Sequence, residues 1–318
     1  MLILPPRKDH VLKQLEALIP RLSSKSPDYH TLEQQLWKER SGYSGEKSLL
    51  YYLDLVDDQE ANIIFNCRLP IANHYFQIDC LYLTPRYAVI IEVKNLRGII
   101  YFNQANQMIQ IWENVEKPYQ DPIRQVNEQR LKLNKVLAQI GYSSLPIHTL
   151  VAFTNRNVIL NLSKPCPTRI TSEQLATRLR DFHKQHQKMI YPQQQLNDLA
   201  MTLKQMHCPR KTSIIDKYQI EKSLIKTGIQ CSNCQSFDMT RQSGTWLCPQ
   251  CHFSDKNAHI QALTDYALIY GPTITNKEAR SHLNITSRHI ANRLLKSENI
   301  RQVNQTNHTT YDLSNLID

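Results

Sequence analysis

The run Tyr87-Ala-Val-Ile-Ile-Glu-Val-Lys94 constrains the fold more than any other segment. It is short, rich in β-branched residues and apolar on both alternating faces, which marks a strand covered on both sides. Such a strand needs a layer above and a layer below, and amphipathic helices commonly supply them. The flanking sequence contains them. Val11, Leu12, Leu15, Leu18 and Ile19 follow helical spacing before Pro20 and Pro27 interrupt the first 40 residues. A second helix is predicted from about Gly45 to Leu55, with Leu49, Leu50, Leu53 and Val56 on one side. A long helix follows Pro122, carries Val126, Leu131, Leu133, Val136, Leu137 and Ile140, and ends at Gly141. Between these helices, residues 63–69, 75–83 and 87–94 read as three strands, and residues 148–153 as a fourth. Residues 99–102 and 108–112 form a paired insertion, and residues 158–160 a further strand. The order predicts an α/β fold, a mixed sheet flanked by helices.

Glu92 and Lys94 are two residues apart, so on a strand they share a face. A hairpin turning near Pro85 places Asp79 opposite about residue 91, one step from Glu92. Two carboxylates and an ammonium at one sheet edge suit hydrolysis of a phosphodiester. The carboxylates offer hard oxygen ligands to Mg²⁺ (or Mn²⁺), and the lysine neutralises charge on the reacting phosphate. The same spacing also suits an ordinary ion pair of Lys94 with Asp79 or Glu92.

Charge agrees with an anionic partner. The chain carries 38 Lys and Arg against 28 Asp and Glu, a net charge of +10. Nucleic acid is favoured over a membrane, because no apolar run approaches the length of a span and no basic amphipathic anchor stands out. The opening Met1-Leu-Ile-Leu-Pro-Pro-Arg-Lys reverses the order of a secretory signal, which predicts a cytoplasmic protein. Only seven glycines occur in 318 residues, which disfavours glycine-rich phosphate loops. The near match Gly42-Tyr-Ser-Gly45-Glu46-Lys47-Ser48 is rejected because Glu46 would repel a phosphate and no strand precedes it.

The segments Gln77-Ile-Asp79-Cys-Leu-Tyr-Leu83 and Ala88-Val-Ile-Ile-Glu92-Val-Lys94-Asn-Leu-Arg-Gly98 resemble the nuclease-related domain (NERD), a family placed in the PD-(D/E)XK nuclease superfamily. Gly45-Glu46 with Leu49 and Leu53 resembles its opening helix. Trp112 and the run Asp121-Pro-Ile-Arg-Gln125 resemble its later motifs. The resemblance spans about residues 41–155 and implies a PD-(D/E)XK-like sheet. It implies Asp79 and Glu92 as metal ligands, the Val93 carbonyl as a third, and Lys94 as the catalytic lysine. Glu46 becomes an accessory ligand, with a first-turn helix acid as the plain alternative. Gln125 becomes a group orienting substrate or water, with a solvated helix residue as the alternative. Ile78 stands where the superfamily has proline, which leaves the ligand Asp79 in place.

Downstream, residues 171–226 are helical in pattern and basic, with Gln193-Gln-Gln195 after Pro192 as a hinge. Cys231-x-x-Cys234 and Cys248-x-x-Cys251 then form two thiolate pairs that suit structural Zn²⁺ in a zinc ribbon. With four cysteine ligands such an ion has no open position for catalysis. Cys67 and Cys80 fall in strands and read as buried small residues, and His252 and His259 are unneeded as ligands. Thr275-Asn-Lys-Glu278 is a capping box opening a short helix to Leu283. A second helix is expected from Ser287 to Ser297, followed by two strands, a pattern that resembles a winged helix-turn-helix. In that docking Arg288, His289, Asn292, Arg293 and Lys296 would face nucleic acid. A small packing or dimerisation domain is the plain alternative.

The expected domains are an N-terminal helical segment 1–40, a nuclease-like domain 41–160, a basic helical region 161–226, a zinc ribbon 227–256 and a winged-helix-like domain 257–318. The function expected is a metal-dependent nuclease, on DNA rather than RNA, in foreign-DNA defence or DNA processing. A non-catalytic DNA-binding regulator is the alternative, with an interaction scaffold behind it. The oligomeric state is left open.

Overall fold

The structure is a computed structural model and describes residues 1–296, 300–305 and 308–317. The chain begins with strand β1 (Leu2–Leu4), helix α1 (His10–Leu18) and helix α2 (Tyr29–Asp54). Strands β2 (Asn62–Ile71), β3 (His74–Leu83) and β4 (Ala88–Lys94) form an antiparallel meander. Next come β5 (Gly98–Phe102), β6 (Met108–Trp112), β7 (Val115–Tyr119), α3 (Pro122–Gln139), β8 (Ile147–Phe153), β9 (Val158–Asn161) and β10 (Arg169–Thr171). Helices α4 (Leu175–Gln185), α5 (Gln193–Met206) and α6 (Ile214–Tyr218) follow. The remainder holds β11 (Thr240–Gln242), β12 (Thr245–Leu247), β13 (Ser254–Asp255), α7 (Ala258–Tyr270), β14 (Thr273–Thr275), α8 (Asn276–Leu283), α9 (Arg288–Leu295), β15 (Arg301–Gln305) and β16 (His308–Asp312).

These elements make two compact units. The first contains residues 1–8 and 38–210, the second residues 9–37 and 211–318, so α2 runs from one into the other. In the first unit a six-stranded mixed sheet has the order β1-β2-β3-β4-β8-β10. β4 lies at its centre, antiparallel to β3 and parallel to β8, with α3 as the crossover. Its two faces divide as the alternating pattern demands. Ala88 and Ile90 pack with Val126, Leu133 and Val136 of α3 and with Leu196 and Leu203 of α5. Val89 and Ile91 pack with Leu49 and Leu53 of α2 and with Leu175 and Leu179 of α4. The inserted strands form a separate four-stranded sheet, β7-β6-β5-β9, rather than extending the main one.

Several expectations shift. α2 starts at Tyr29, well before Gly45, and passes through Gly42 and Gly45. β7 and β10 were not legible because both are short and mostly polar. Gln193-Gln-Gln195 opens α5 rather than forming a hinge, since Pro192 is an acceptable residue just ahead of a helix.

In the second unit β11, β12 and β13 form a small antiparallel sheet, and β14, β16 and β15 form another. One core joins them: Ile229, Met239 and Trp246 pack with Leu263, Ile274, Leu283, Leu294 and Tyr311. Arg21 is fully buried in this unit. Its guanidinium donates to Asp265 at 2.8 Å and to the carbonyls of Lys226 and Gly228. The capping box forms as expected, with Glu278 N–H donating to Thr275 Oγ1 and Thr275 N–H to Glu278 Oε2. The expected end of the next helix, Ser297, lies outside the described residues.

Candidate active site

The site begins with an interruption in the sheet. The β3–β4 ladder runs from Leu83↔Ala88 to Cys80↔Ile91, and the same register brings Asp79 to the level of Glu92. This corrects the expected register by one residue, because the connecting turn holds four residues closed by Thr84 N–H to the Tyr87 carbonyl. Beyond Cys80 the ladder stops, and the Asp79 carboxylate takes over. Its Oδ2 accepts the Val93 N–H at 2.9 Å, so the last amide of this strand edge is satisfied by a side chain.

The interruption is shared with β2. Ile78 packs under α3 and α5, whereas Cys80 packs under α2 and α4. Cys67 and Phe65 divide in the same way on β2. Between them Asn66 adopts a left-handed conformation at φ 52°. Both strands therefore change face at one level, and the polar pair Asn66 and Asp79 sits there. Cys67 and Cys80 are both fully buried, as expected of small apolar residues.

Glu92 is 2% exposed and fully engaged. Its Oε1 accepts Lys94 Nζ at 2.6 Å and its Oε2 accepts Gln129 Nε2 at 3.0 Å. Lys94 Nζ also donates to Gln125 Oε1 at 3.2 Å. Gln125 and Gln129 are one helical turn apart on α3, so both face the strand end. Asp121 caps α3 by accepting the Ile123 N–H, Pro122 fills the first turn, and Arg169 donates to the other Asp121 oxygen at 2.8 Å. The Asp-Pro-x-x-Gln run thus has a physical reason: it starts the helix where Gln125 reaches Lys94.

Glu46 arrives from α2. Its Oε2 accepts Asn66 Nδ2 at 2.6 Å. Gly45 makes this approach possible. A Cβ there would lie 2.8 Å from Asn95 Cβ and 2.9 Å from Thr154 Oγ1, the residues that follow β4 and β8. Sequence reasoning brought Glu46, Asp79, Glu92, Lys94 and Gln125 together, but it missed Asn66 and Gln129. The i,i+4 repeat of Gln125 was the available signal for Gln129. Asn66 had no signal, because only the pairing of β2 with β3 places it beside the carboxylates.

The electrostatics are those of crowded acids. Burial pushes the Asp79 carboxyl well above the ordinary carboxylate range, and the charges of Glu92 and then Glu46 push it further. The Val93 N–H and Lys94 oppose the shift without cancelling it. Three carboxylates against one ammonium leave negative charge at a partly desolvated point, which a cation would stabilise. The donors are all oxygens, so the residues fit a hard divalent ion.

That arrangement lies inside a segment with a recognisable relative. Residues 41–154 match the family model of the nuclease-related domain. No curated protein and no solved structure matches the chain. The matched segment contains the whole cluster from Glu46 to Gln129, and its mixed α/β architecture agrees with a nuclease-like fold. The match points to nucleic acid as the class of partner. No helix among the described residues is long and apolar enough to cross a membrane.

Outside the nuclease-related domain, the four expected cysteines converge. Their sulfurs lie within 4.8 Å of one another, with Cys231–Cys251 at 3.6 Å and Cys234–Cys248 at 3.5 Å. Zn–S bonds near 2.3 Å in a tetrahedron require sulfurs about 3.8 Å apart, so the thiolates suit zinc. The two pairs are built alike. Gln235 N–H donates to the Cys231 carbonyl and His252 N–H to the Cys248 carbonyl, and both donors are left-handed, at φ 64° and 58°. His259 is instead buried against Trp246, whose Nε1 donates to His259 Nδ1 at 3.3 Å.

On α9, Arg288, His289 and Arg293 are exposed, as is Lys296 just after it. Asn292 is half-buried. Its Oδ1 accepts Asn276 Nδ2 at 2.6 Å and the Tyr311 hydroxyl at 3.3 Å, so it ties α9 to α8 and β16.

Proposed function

We propose that this protein is a metal-dependent nuclease that hydrolyses phosphodiester bonds of DNA, with Asp79, Glu92 and the Val93 carbonyl holding Mg²⁺ or Mn²⁺. The observation that carries the reading is the convergence of Glu46, Asp79, Glu92 and Lys94 at one interrupted strand edge. When bound, the ion would polarise the phosphodiester and acidify a water. Lys94 supplies positive charge to the phosphate oxygens as charge builds on them. To do so its ammonium exchanges Glu92 Oε1 for a phosphate oxygen, while Gln125 retains it from α3. Gln129 holds the other Glu92 oxygen throughout. Glu46, kept in place by Asn66, is an accessory ligand. Water oxygen adds to phosphorus, the bond to the leaving oxygen breaks, and that oxygen takes up a proton.

In the same reading residues 227–256 are a zinc ribbon with structural Zn²⁺. Residues 257–318 are a winged helix-turn-helix that meets DNA through Arg288, His289, Asn292 and Arg293 of α9 and Lys296 just after it. Residues 41–160 are the catalytic domain, and the thiolates belong in a reducing cytoplasm.

One observation favours a second reading, a non-catalytic DNA-binding protein: the 2.6 Å Lys94–Glu92 ion pair already engages both groups. A cleavage assay with Mg²⁺ or Mn²⁺ on plasmid, linear and single-stranded DNA separates the two. Asp79→Ala and Glu92→Ala are expected to abolish cutting together with metal binding. Lys94→Ala is expected to lose about 100-fold or more in rate, about 3 kcal/mol, yet to keep metal and DNA binding. Parent protein that cuts no substrate, with variants that lose only stability, would leave the binding protein as the better account.

A further inference from the structure

Trp112 and Gly98 lie in segments that resemble the nuclease-related domain, yet the chemistry at Lys94 uses neither. Their pairing accounts for both. The β5–β6 ladder ends at Ile99↔Ile111, so one step further Gly98 comes opposite Trp112. Gly98 adopts φ 85°, and a Cβ there would collide with the Ile111 carbonyl oxygen and lie 3.1 Å from Trp112 Cε3. Glycine is required, and the indole lies across it. Glu113 and Asn114 are both left-handed, at φ 52° and 62°, and turn β6 into β7 directly after Trp112. Such a two-residue turn fixes where the ring sits.

The side of the inserted sheet that carries Trp112 also faces the core. By alternation, Ile100, Phe102, Met108, Gln110, Lys117 and Tyr119 share that side. Ile100, Phe102, Met108 and Tyr119 pack in the same core as Val126 and Leu133 of α3. At the open end of this side Trp112 is 38% exposed. The Arg97 guanidinium lies 5.2 Å from the indole centroid, and the Arg97 carbonyl accepts Gln110 Nε2 at 2.8 Å. Lys117 Nζ lies 5.5 Å from the centroid of the Tyr119 ring. Arg97 and Lys117 are exposed, and among the described residues neither forms an ion pair. Glu116 pairs with Ile111 and so belongs to the opposite side. Lys94 is close. Gly98 follows it by four residues, a span of at most about 14 Å. Proteins that hold single strands combine these parts, with bases stacked on exposed aromatic rings and cations along the backbone. A duplex keeps its base faces inside its own stack and would leave the indole unused.

We propose that Trp112 is a stacking platform for an unpaired base of the DNA substrate, with Arg97 and Lys117 meeting neighbouring phosphates, so that the strand presented to Lys94 is single. The proposal rests on the nuclease reading and names its substrate class. As the base settles on the indole, the Arg97 guanidinium moves from the ring to the backbone.

The test is anisotropy of short labelled oligothymidylate with full-length protein, without added Mg²⁺ or Mn²⁺ so that no strand is cut. Trp112→Leu should weaken binding about tenfold, the scale of one base stacked on an aromatic ring. Trp112→Phe should keep most of the affinity, and blunt-ended duplex should bind the parent and Trp112→Leu alike. Arg97→Gln should lower the salt slope by about 0.7, the value for one phosphate of a single strand. An abasic oligonucleotide keeps the phosphates and removes the bases. The loss it causes should be about tenfold smaller in Trp112→Leu than in the parent. Equal losses in the two proteins would overturn the platform, as would a parent indifferent to the missing bases or one that binds no oligothymidylate. Duplex binding weakened as much as oligothymidylate binding in Trp112→Leu would overturn it too. Cleavage with Mg²⁺ is followed in parallel. A parent that cuts while the base dependence fails keeps the nuclease reading and loses the platform. A parent that cuts nothing while the base dependence holds loses the nuclease reading and keeps the platform.

Discussion

Gln129 shows how much a single uncharged side chain can decide. It is 5% exposed, and its one amide nitrogen donates both to Glu92 Oε2 and to the Gln77 carbonyl, each at 3.0 Å. It therefore joins α3, β3 and β4 at the carboxylate on which the proposed chemistry depends. Leucine at this position keeps the volume but takes the donor away from the buried Glu92 oxygen, a cost of about 1–3 kcal/mol. Gln129→Leu should lower the urea midpoint and weaken Mn²⁺ binding measured by calorimetry. Gln125→Leu should leave stability nearly unchanged, because its partner Lys94 keeps the Glu92 contact. Equal Mn²⁺ affinity in parent and Gln129→Leu would show that Glu92 is oriented by Lys94 alone.

Helix α2 carries a matched pair of glycines with opposite expected behaviour. A helical glycine costs up to about 1 kcal/mol relative to alanine, so replacement is favourable where space permits. At Gly42 nothing lies within 4 Å of an added Cβ, and Gly42→Ala should raise the melting temperature. At Gly45 the added atom meets Asn95 Cβ at 2.8 Å, the root of a side chain that cannot swing aside. Overpacking of that kind costs about 1–3 kcal/mol, which outweighs the helical gain. Gly45→Ala should destabilise the protein and move Glu46 away from Asp79. Calorimetric scans of the two variants check the sign of each effect. The cysteine module draws on the thiolate centre as well as on the core it shares with the helices that follow it. It has three strands of two or three residues, too few to stand without the thiolate centre. The purified, reduced protein should contain about one Zn²⁺, and chelation should quench the native Trp246 fluorescence signature as that core opens. Elemental analysis finding no zinc would contradict this directly.

For the molecule as a whole, acid stability should depend on two histidines buried in the second unit. His282 is 3% exposed, and its Nε2–H donates to the Ala262 carbonyl at 2.9 Å. Burial, then the Arg21 charge, lowers its pKa to about 4. Burial, then Arg241, lowers that of His259 to about 4 as well. Both are neutral when folded, and both gain protons in the unfolded chain near pH 6.5. Their contribution is therefore present above about pH 6.5 and lost as pH falls toward 4. A shift of that size amounts to about 3 kcal/mol for each. Zinc leaves thiolates in the same range, so the informative quantity is the difference between parent and His282→Gln in urea denaturation. That difference should change between pH 6.5 and 4. A constant difference would mean that His282 is not held neutral.

The sequence alone determined what local chemistry and periodicity control. Alternation in Tyr87–Lys94 required a two-sided strand, and α3 and the helices against β4 answer it. The spacing of the cysteine pairs required sulfurs near one point, because a two-residue gap can close only a tight knuckle. Thr275 and Glu278 capped a helix wherever that helix was placed. Tertiary structure decided the rest, because it depended on pairings between distant residues. The placement of Asp79 at Val93 depends on where the β3–β4 ladder stops, and hydropathy does not record that. Asn66 reaches Glu46 only because β2 and β3 change face together. Asn292, polar and on a helix surface by pattern, turns its Oδ1 to Asn276 and Tyr311. A side chain's type and period give its preferences, but which partner it meets is decided by the packing of elements that the sequence separates.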